Sequence, residues 1–566
     1  MLTNSIRRAL PRISPTYYYY PRTTTLLLGR AANPGNGAYL RLAAAAAAPS
    51  IILNSNNTNK RYASNLSTAA AATTIGSTEN DKNNGKSSTT GPGWSGNAVL
   101  SVGLAAGLLG WGLAAVTMSD GVGAKGVTLL DSRKQWPRYA SLKEMEIAID
   151  EIRTELSSVE DIISTDPDDL HAHGYSEWSS CNPNDSLPVA VAYPRSTEQV
   201  SVLARICSKY HVPMIPYSGG TSLEGNFAAP FGGVSVDFAY MDRVVAVNRE
   251  DMDVVVQPSV GWQDLNDHLA KMGCGLFFPV DPGPSAKIGG MIGTNCSGTN
   301  AVKYGTMKDS TLKLAVIPEA LSVAIATFPT IRDAAAAAAE VMQGGIPVAA
   351  MEIMDEVQMR VVNLGGATAP RVWRETPTLF FKFAGSKAAV QDNITHVKGI
   401  AARNHGDGFE FAKDAREQKL LWSARKESLW SMLALRREGE EVWSTDVAVP
   451  FSRLADIIEV SKKEMDDLGL FASILGHIGD GNFHESIIYN PVNGEKEKVE
   501  ACVKNMVRRA LDMEGTCTGE HSIGWGKKDS LLLEVGEETL GVMRAVKAAL
   551  DPAWIMNPGK IFDRLD

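Results

Sequence analysis

The chain has 566 residues, 44% apolar and 21% charged, with a formal net charge of -9. One hydrophobic core does not usually organise that length, so two folded lobes plus extensions are expected. The acidic balance, without any Lys/Arg cluster interleaved with aromatics, argues against nucleic acid as a partner, and six scattered cysteines without a Cys-x-x-Cys pair argue against a zinc ribbon, an iron–sulfur run or a disulfide framework.

No acidic residue precedes Glu79, while Arg7, Arg8, Arg12, Arg22, Arg30, Arg41, Lys60 and Arg61 all do. Leu2, Ile6, Leu10 and Ile13 repeat at helical spacing with arginines on other faces, the Arg-rich, acid-poor pattern of a mitochondrial presequence over 1–65. The Tyr17–Tyr20 and Ala43–Ala48 runs also allow a low-complexity tail, a reading that the Arg-rich, acid-poor pattern outweighs. A polar linker over 66–97 leads to Ala98–Met118, which carries no charge. As a helix it would span ~31 Å, the thickness of a bilayer core. A presequence followed by one such span predicts an inner-membrane anchor, with the remaining chain facing the intermembrane space; a second linker covers 119–136.

From there strand and helix signals alternate, which predicts an α+β protein. Pro188–Tyr193 reads as a strand. Ser196 and Gln199 offer a capping box to a helix with Val200, Leu203, Ala204, Cys207 and Tyr210 on one face. Pro213–Tyr217, Val234–Phe238, Val244–Asn248 and Asp253–Gln257 read as strands, and Gly261-Trp262 opens a helix. The pattern restarts with an alanine-rich helix at Ile331–Met342. Strands at Ala349–Met354, Leu379–Ala384, Trp443–Val449 and Ser473–His477 follow, with helices at Val390–Asn404 and Pro450–Leu468.

Two glycine loops interrupt the first lobe. Pro216–Gly225 follows a strand end, and successive backbone N–H groups in such a turn form an anion-binding nest. Pro279–Pro284 leads into Ile288–Asn295, whose glycines let backbone approach a diphosphate or a planar ring. Asn557-Pro558-Gly559-Lys560 is a third loop of this type. No Gly-x-Gly-x-x-Gly opens a helix after a strand and no Walker sequence occurs, so a nicotinamide-type or P-loop site is not supported.

In the second lobe, Gly476–His484 and Gly519-Glu520-His521 hold three of the nine histidines. His477, His484 and Glu520 make a set of metal ligands with open positions, and His521 is left over as a neutral base. Such a site suits a substrate with two oxygens to chelate and one proton to lose. A metal-dependent hydrolase could use the same groups, but the glycine loops have no evident purpose in one.

Taken together, Pro216–Gly225, Pro279–Asn300, Gly476–His484, Gly515–Gly526 and Asn557–Lys560 resemble the FAD-dependent D-2-hydroxyacid dehydrogenases of the vanillyl-alcohol-oxidase/PCMH type. The resemblance covers most of Pro137–Asp566. It implies a PCMH-type FAD-binding domain over 137–319 and a ferredoxin-like α+β cap domain over 320–566 that carries the substrate and metal site. It implies that FAD is held by Pro216, Ser218, Gly219, Gly220, Thr221, Ser222 and Gly225. Pro279, Asp281, Pro282, Gly289, Gly290, Gly293, Thr294, Asn295, Ser297 and Gly298 complete the cradle, with Asn557 and Lys560 closing over it. It further implies zinc or manganese at His477, His484 and Glu520, with His521 as base. From Leu421-Trp422-Ser423-Ala424-Arg425 it implies Arg425 as the partner of the substrate carboxylate. The substrate so implied is a D-2-hydroxyacid such as lactate, glycolate or 2-hydroxyglutarate, with cytochrome c as electron acceptor. Some relatives tether FAD through a histidine; Pro216–Gly225 has none, so non-covalent FAD is expected.

The chain departs from the pattern at one place. Relatives continue for several dozen residues where Asp309 is here joined directly to Ser310 and Thr311, and those residues supply strands and a loop against the flavin. The junction reads as a skipped exon or a gene-model error. An incomplete FAD domain, strand edges without partners and an open flavin site are therefore expected.

Overall fold

The computed structural model describes residues 138–564 except 178, 180, 184, 185 and 312. The expected presequence, the uncharged run 98–118 and both linkers lie outside the described residues. Among the described residues no helix is long and apolar enough to cross a membrane.

The first lobe opens with a four-stranded sheet. Its strands β1 (Ile163–Ser164), β2 (Ala190–Ala192), β3 (Met214–Tyr217) and β4 (Val234–Asp237) stand in the order β1-β2-β4-β3. β2, β4 and β3 run parallel, and the helix Thr197–Tyr210 connects β2 to β3. The Ser196 hydroxyl caps that helix as expected, accepting from the Gln199 N–H. The Gln199 side chain accepts from the N–H of Arg195, so the reciprocal bond of a capping box is displaced by one residue. Leu203, Ile206 and Cys207 bury its inner face with Ala148, Ile149 and Ile152 of the helix Leu142–Glu155.

The rest of this lobe is less complete. Among the described residues β5 (Val244–Asn248) pairs only with β6 (Asp253–Val256), and β7 (Leu276–Phe277) only with β8 (Ala315–Val316). Two-stranded ladders are marginal by themselves. A small core of Trp262, Leu265, Leu269, Phe278, Ile288, Met291 and Leu314 supports them. Their free faces leave Val245, Val255, Val316 and Ile317 about half exposed, at 51%, 47%, 60% and 52%. Unpartnered edges of this kind are what the direct Asp309–Ser310 junction leads one to expect.

The second lobe is built on an antiparallel sheet. Its strands are β9 (Ala320–Thr327), β10 (Ala350–Met354), β11 (Thr378–Gly385), β12 (Asp407–Phe411), β13 (Glu441–Ser444), β14 (Val447–Ala448), β15 (Phe471–Gly476) and β16 (Asn482–Tyr489). The order is β12-β9-β11-β10-β15-β16-β13, with β14 also on β16. Helices Ile331–Gln343, Lys387–Arg403, Leu454–Leu468 and Glu495–Asp512 cover one face, packing on Met351, Ile353, Phe381, Phe383, Phe483 and Ile487. Because side chains alternate across a strand, Glu352, Lys382 and His484 emerge on the opposite face. That face meets the first lobe, where Lys382 Nζ lies 3.3 Å from Asn300 Oδ1.

One expected strand is corrected. Trp443–Val449 is split into β13 and β14, both on β16, because regular pairing breaks at Thr445 and Asp446, although the Thr445 N–H still donates to the Glu485 carbonyl at 2.9 Å. Their groups are engaged in the site described next. After the helix Lys528–Leu550 the chain returns to the first lobe, where Met214 exchanges backbone hydrogen bonds with Ile555 and Asn557 at 2.7 Å each.

Candidate active site

The three expected ligands converge. Glu520 Oε1 lies 3.0 Å from His477 Nε2 and 3.2 Å from His484 Nε2. Two donors about 2.1 Å from one ion at right or tetrahedral angles stand roughly 3.0–3.4 Å apart, so these spacings fit a shared divalent cation. Both rings are pinned through the other nitrogen. His477 Nδ1 donates to Glu352 Oε1 at 2.9 Å, and His484 Nδ1 donates to the Thr445 carbonyl at 2.9 Å. Each imidazole therefore presents Nε2 to the same point, with a carboxylate or carbonyl behind it. Burial alone would raise the Glu520 carboxyl, but facing His477 and His484 holds it well below the usual carboxylate range.

A second trio, Asp446, His484 and His521, also lies close together. His484 Nδ1 carries the proton it gives to Thr445, so it has no lone pair to offer there. Asp446 is fully engaged elsewhere. Its carboxylate accepts the backbone N–H groups of Gly519, Glu520 and His521 at 2.8–3.1 Å, the Thr518 hydroxyl at 2.8 Å and Lys527 Nζ at 3.1 Å. Three successive N–H groups form a nest, and Asp446 fills it. The loop carrying Glu520 and His521 is thus held by one buried carboxylate. Replacing Asp446 by alanine strands those donors and leaves Lys527 buried with one fewer anion. A loss of about 3–5 kcal/mol in a denaturant titration is expected, against less than about 1 for an exposed acid.

His521 stacks on His484 with ring centroids 4.9 Å apart and planes 9° from parallel. Burial is the main force pushing its pKa down, to about 4, so the ring is neutral at physiological pH. Arg425 lies beside the trio and is tied to it: Nε donates to Glu352 Oε2 at 2.7 Å, and Glu352 thereby joins Arg425 to His477. Nη1 is 3.5 Å from Ser428 Oγ, which leaves Nη2 as the nitrogen without a partner among the described residues.

The glycine loops lie against one another. A Cβ on Gly290 would stand 3.4 Å from Ser218 Oγ, and one on Gly219 would stand 3.2 Å from the Ser285 carbonyl. Gly220 is left-handed at φ 61°, which favours glycine. Among the described residues, the N–H groups of Ser218, Gly219, Thr221 and Ser222 donate to no protein acceptor. Orphaned donors on a half-buried loop fit a diphosphate. Gly293 in the helix Ile288–Thr294 faces open space, whereas Gly289 packs on Pro258.

Other expected cradle residues hold protein instead. Asp281 accepts the Thr299 hydroxyl at 2.6 Å and the Asn300 N–H at 3.0 Å, and it fills the space a Cβ on Gly298 would need. Asn295 Oδ1 accepts from Thr306 and Lys308, and Gly225 abuts the Cys181 carbonyl. Pro279 accepts from Asn300 Nδ2, the Thr294 hydroxyl returns to the Gly290 carbonyl, and Ser297 is buried. Pro216 is the third residue of β3, and Pro282 follows Asp281 in its loop. Asn557 Nδ2 donates to the Asn226 carbonyl at 3.1 Å, and Lys560 Nζ to the Ala228 carbonyl at 2.7 Å. Both clip the returning C-terminal segment onto the first lobe.

Residues without a sequence expectation complete the site. Glu352, Asp446 and Glu224 are buried, and the partly buried Lys527 places Nζ between Asp446 and Glu224 Oε1, 3.4 Å from the latter. A lone acid inside an apolar strand, as in Met351-Glu352-Ile353, is the signal that could have marked Glu352.

A loop with free N–H donors, and near it a partly buried imidazole beside a carboxylate and two histidines around one point, is an arrangement that a two-domain flavin oxidoreductase could use. Two family models match accordingly: "FAD binding domain" over residues 188–320 and "FAD linked oxidases, C-terminal domain" over residues 317–561. The chain belongs to the PCMH-type FAD-dependent D-lactate dehydrogenase family. It is 41% identical to the "D-lactate dehydrogenase [cytochrome], mitochondrial" of Kluyveromyces lactis, covering 75% of this chain and 83% of the relative. The protein of the same name from Arabidopsis thaliana is 40% identical, over 73% of this chain and 80% of the relative. A 4-ethylphenol oxidase from Gulosibacter chungangensis shares the fold, with TM-score 0.61 at 17% identity over 76% of this chain and 99% of that one. The Kluyveromyces lactis match runs over 480 residues yet uses 75% of these 566, about 425, so roughly 55 of its positions have no counterpart here.

Proposed function

We propose that this protein oxidises a D-2-hydroxyacid, D-lactate foremost, to the 2-oxoacid, with FAD as the first acceptor and cytochrome c as the second. The observation that carries the reading is the meeting of two Nε2 atoms and one carboxylate oxygen beside a neutral, partly buried imidazole. Bound FAD supplies a two-electron acceptor, and a divalent ion at His477, His484 and Glu520, zinc or manganese, supplies a Lewis acid. Ser218, Gly219, Thr221 and Ser222 would donate to the cofactor diphosphate. Nη2 of Arg425 would pair the substrate carboxylate, while Glu352 keeps the guanidinium beside His477. His521 takes the C2 hydroxyl proton. In FAD-reconstituted protein under anaerobic conditions, D-lactate should bleach the flavin band while L-lactate does not. A chelator should abolish the bleaching and added zinc or manganese restore it. Faster bleaching by glycolate or D-2-hydroxyglutarate would replace D-lactate as substrate, and none by any D-2-hydroxyacid would reject the function.

The mitochondrial names of the relatives and the acid-free amino terminus support placement in the mitochondrion. Ala98–Met118 would anchor the protein in the inner membrane with its lobes in the intermembrane space, and alkaline carbonate extraction that releases the protein would reject the anchor. The unpaired ladders β5–β6 and β7–β8, with the positions missing against relatives, favour a second statement: the FAD-binding lobe lacks a segment at Asp309–Ser310.

A further inference from the structure

We propose that Glu224, supplied by the glycine loop of the first lobe, orients His521 across the lobe boundary and fixes its tautomer, leaving Nε2 as the basic nitrogen. The pairing rests on the reading of His521 as base. His521 Nδ1 is sealed from solvent and has no hydrogen-bond partner. Among the described residues Nε2 has no hydrogen-bond partner and, unlike Nδ1, is not a sealed atom, which leaves it as the nitrogen for the substrate. Among the described residues, Glu224 Oε1 is the one carboxylate oxygen within 4.0 Å of the ring nitrogens.

The other polar groups around the ring cannot serve. Asp446 already accepts three backbone N–H groups, a hydroxyl and an ammonium. Lys527 is a donor only. His484 lies face to face with His521 and gives its own Nδ1–H to Thr445, and Glu520 Oε1 faces the two other histidines. Glu224, by contrast, has one cation, Lys527, at 3.4 Å and spare lone pairs.

Its position is built from both lobes. The Trp525 N–H donates to the Glu224 carbonyl at 2.7 Å, and side chains at Gly524 or Gly526 would collide with Glu224. Asn226 Nδ2 donates to Ser522 Oγ at 2.7 Å, one residue beyond the imidazole. From 4.0 Å, Glu224 Oε1 would accept the Nδ1–H once the two atoms close to hydrogen-bond range. The carboxylate then favours the Nδ1–H tautomer and balances the imidazolium formed when Nε2 accepts the hydroxyl proton, as in other carboxylate–imidazole pairs. Glu224 sits in the loop whose free N–H groups would receive the diphosphate, so one loop both seats the cofactor and sets the base.

Histidine-selective 15N labelling of the full chain tests this without substrate or flavin. The signals lost in His521→Asn identify His521 among the nine histidines. The Nδ1–H tautomer should dominate in the wild type, and Glu224→Ala should change the tautomer ratio about tenfold. An unchanged ratio, or a wild type protonated on Nε2, overturns the pairing. Should the alanine variant lose the remaining histidine signals, the isosteric Glu224→Gln answers instead; a shift of about threefold supports the pairing and none overturns it. In flavin-loaded protein, Glu224→Ala should lower kcat about 10–100-fold with KM within about twofold. Bleaching by substrate with no tautomer change would sink the pairing alone, and a tautomer change without bleaching by any D-2-hydroxyacid would sink the proposed function alone.

Discussion

Substitution of His521 by alanine should leave the absorbance of added FAD unchanged and slow bleaching by D-lactate about 10²–10⁴-fold, the usual worth of a positioned general base. The orphaned N–H groups of the glycine loop do not bond to this ring, so flavin binding should survive. Burial first, then the neighbouring His484 and Lys527, push the His521 pKa down to about 4 against the pull of Asp446 and Glu520. Proton uptake by this group should therefore hold at neutral pH and fail as pH falls through that value. Stopped-flow absorbance separates the outcomes. Bleaching at the wild-type rate would reject His521 as base, whereas loss of flavin would mean that the change disturbed the Glu224 loop.

Much of this site was legible in the sequence because its ligands sit in two short glycine-rich segments. His477 and His484 flank one tight turn, and the β15–β16 register sets Leu475 opposite His484. What bound them to Glu520 was not legible. Asp446 lies in a run that reads as one continuous strand, and only the third dimension shows that the ladder breaks to deliver its carboxylate to a loop over seventy residues later. Glu352 and Glu224 meet their histidines from 125 and 297 positions away. Periodicity finds elements and local motifs, but it carries no information on such pairings. The glycine loops show the converse limit. Asp281, Asn295 and Lys560 stand in motifs that point to a cofactor, yet their polar groups are taken by neighbouring backbone and side chains.

Inserting the corresponding stretch of the Arabidopsis thaliana relative between Asp309 and Ser310 should tighten FAD binding at least about tenfold, equivalent to about 1.4 kcal/mol. The nest at Ser218–Ser222 would grip only the diphosphate end of the cofactor. The half that should wall off the ring ends in two separate ladders, one of them two residues deep on each strand. Strands that extend these ladders, with the segment that packs on their free faces, would cover Val245, Val255, Val316 and Ile317. Fully burying an aliphatic side chain is worth about 1.5–3 kcal/mol, so partial burial of these four should also raise the melting temperature. Equilibrium titration of FAD against both chains, followed by gel filtration, reads the effect: the longer chain should emerge with flavin and the shorter one lose it. Stoichiometric retention by the chain as it stands would show that the open edges lie clear of the isoalloxazine, and that β5–β8 brace the glycine loops without enclosing the ring.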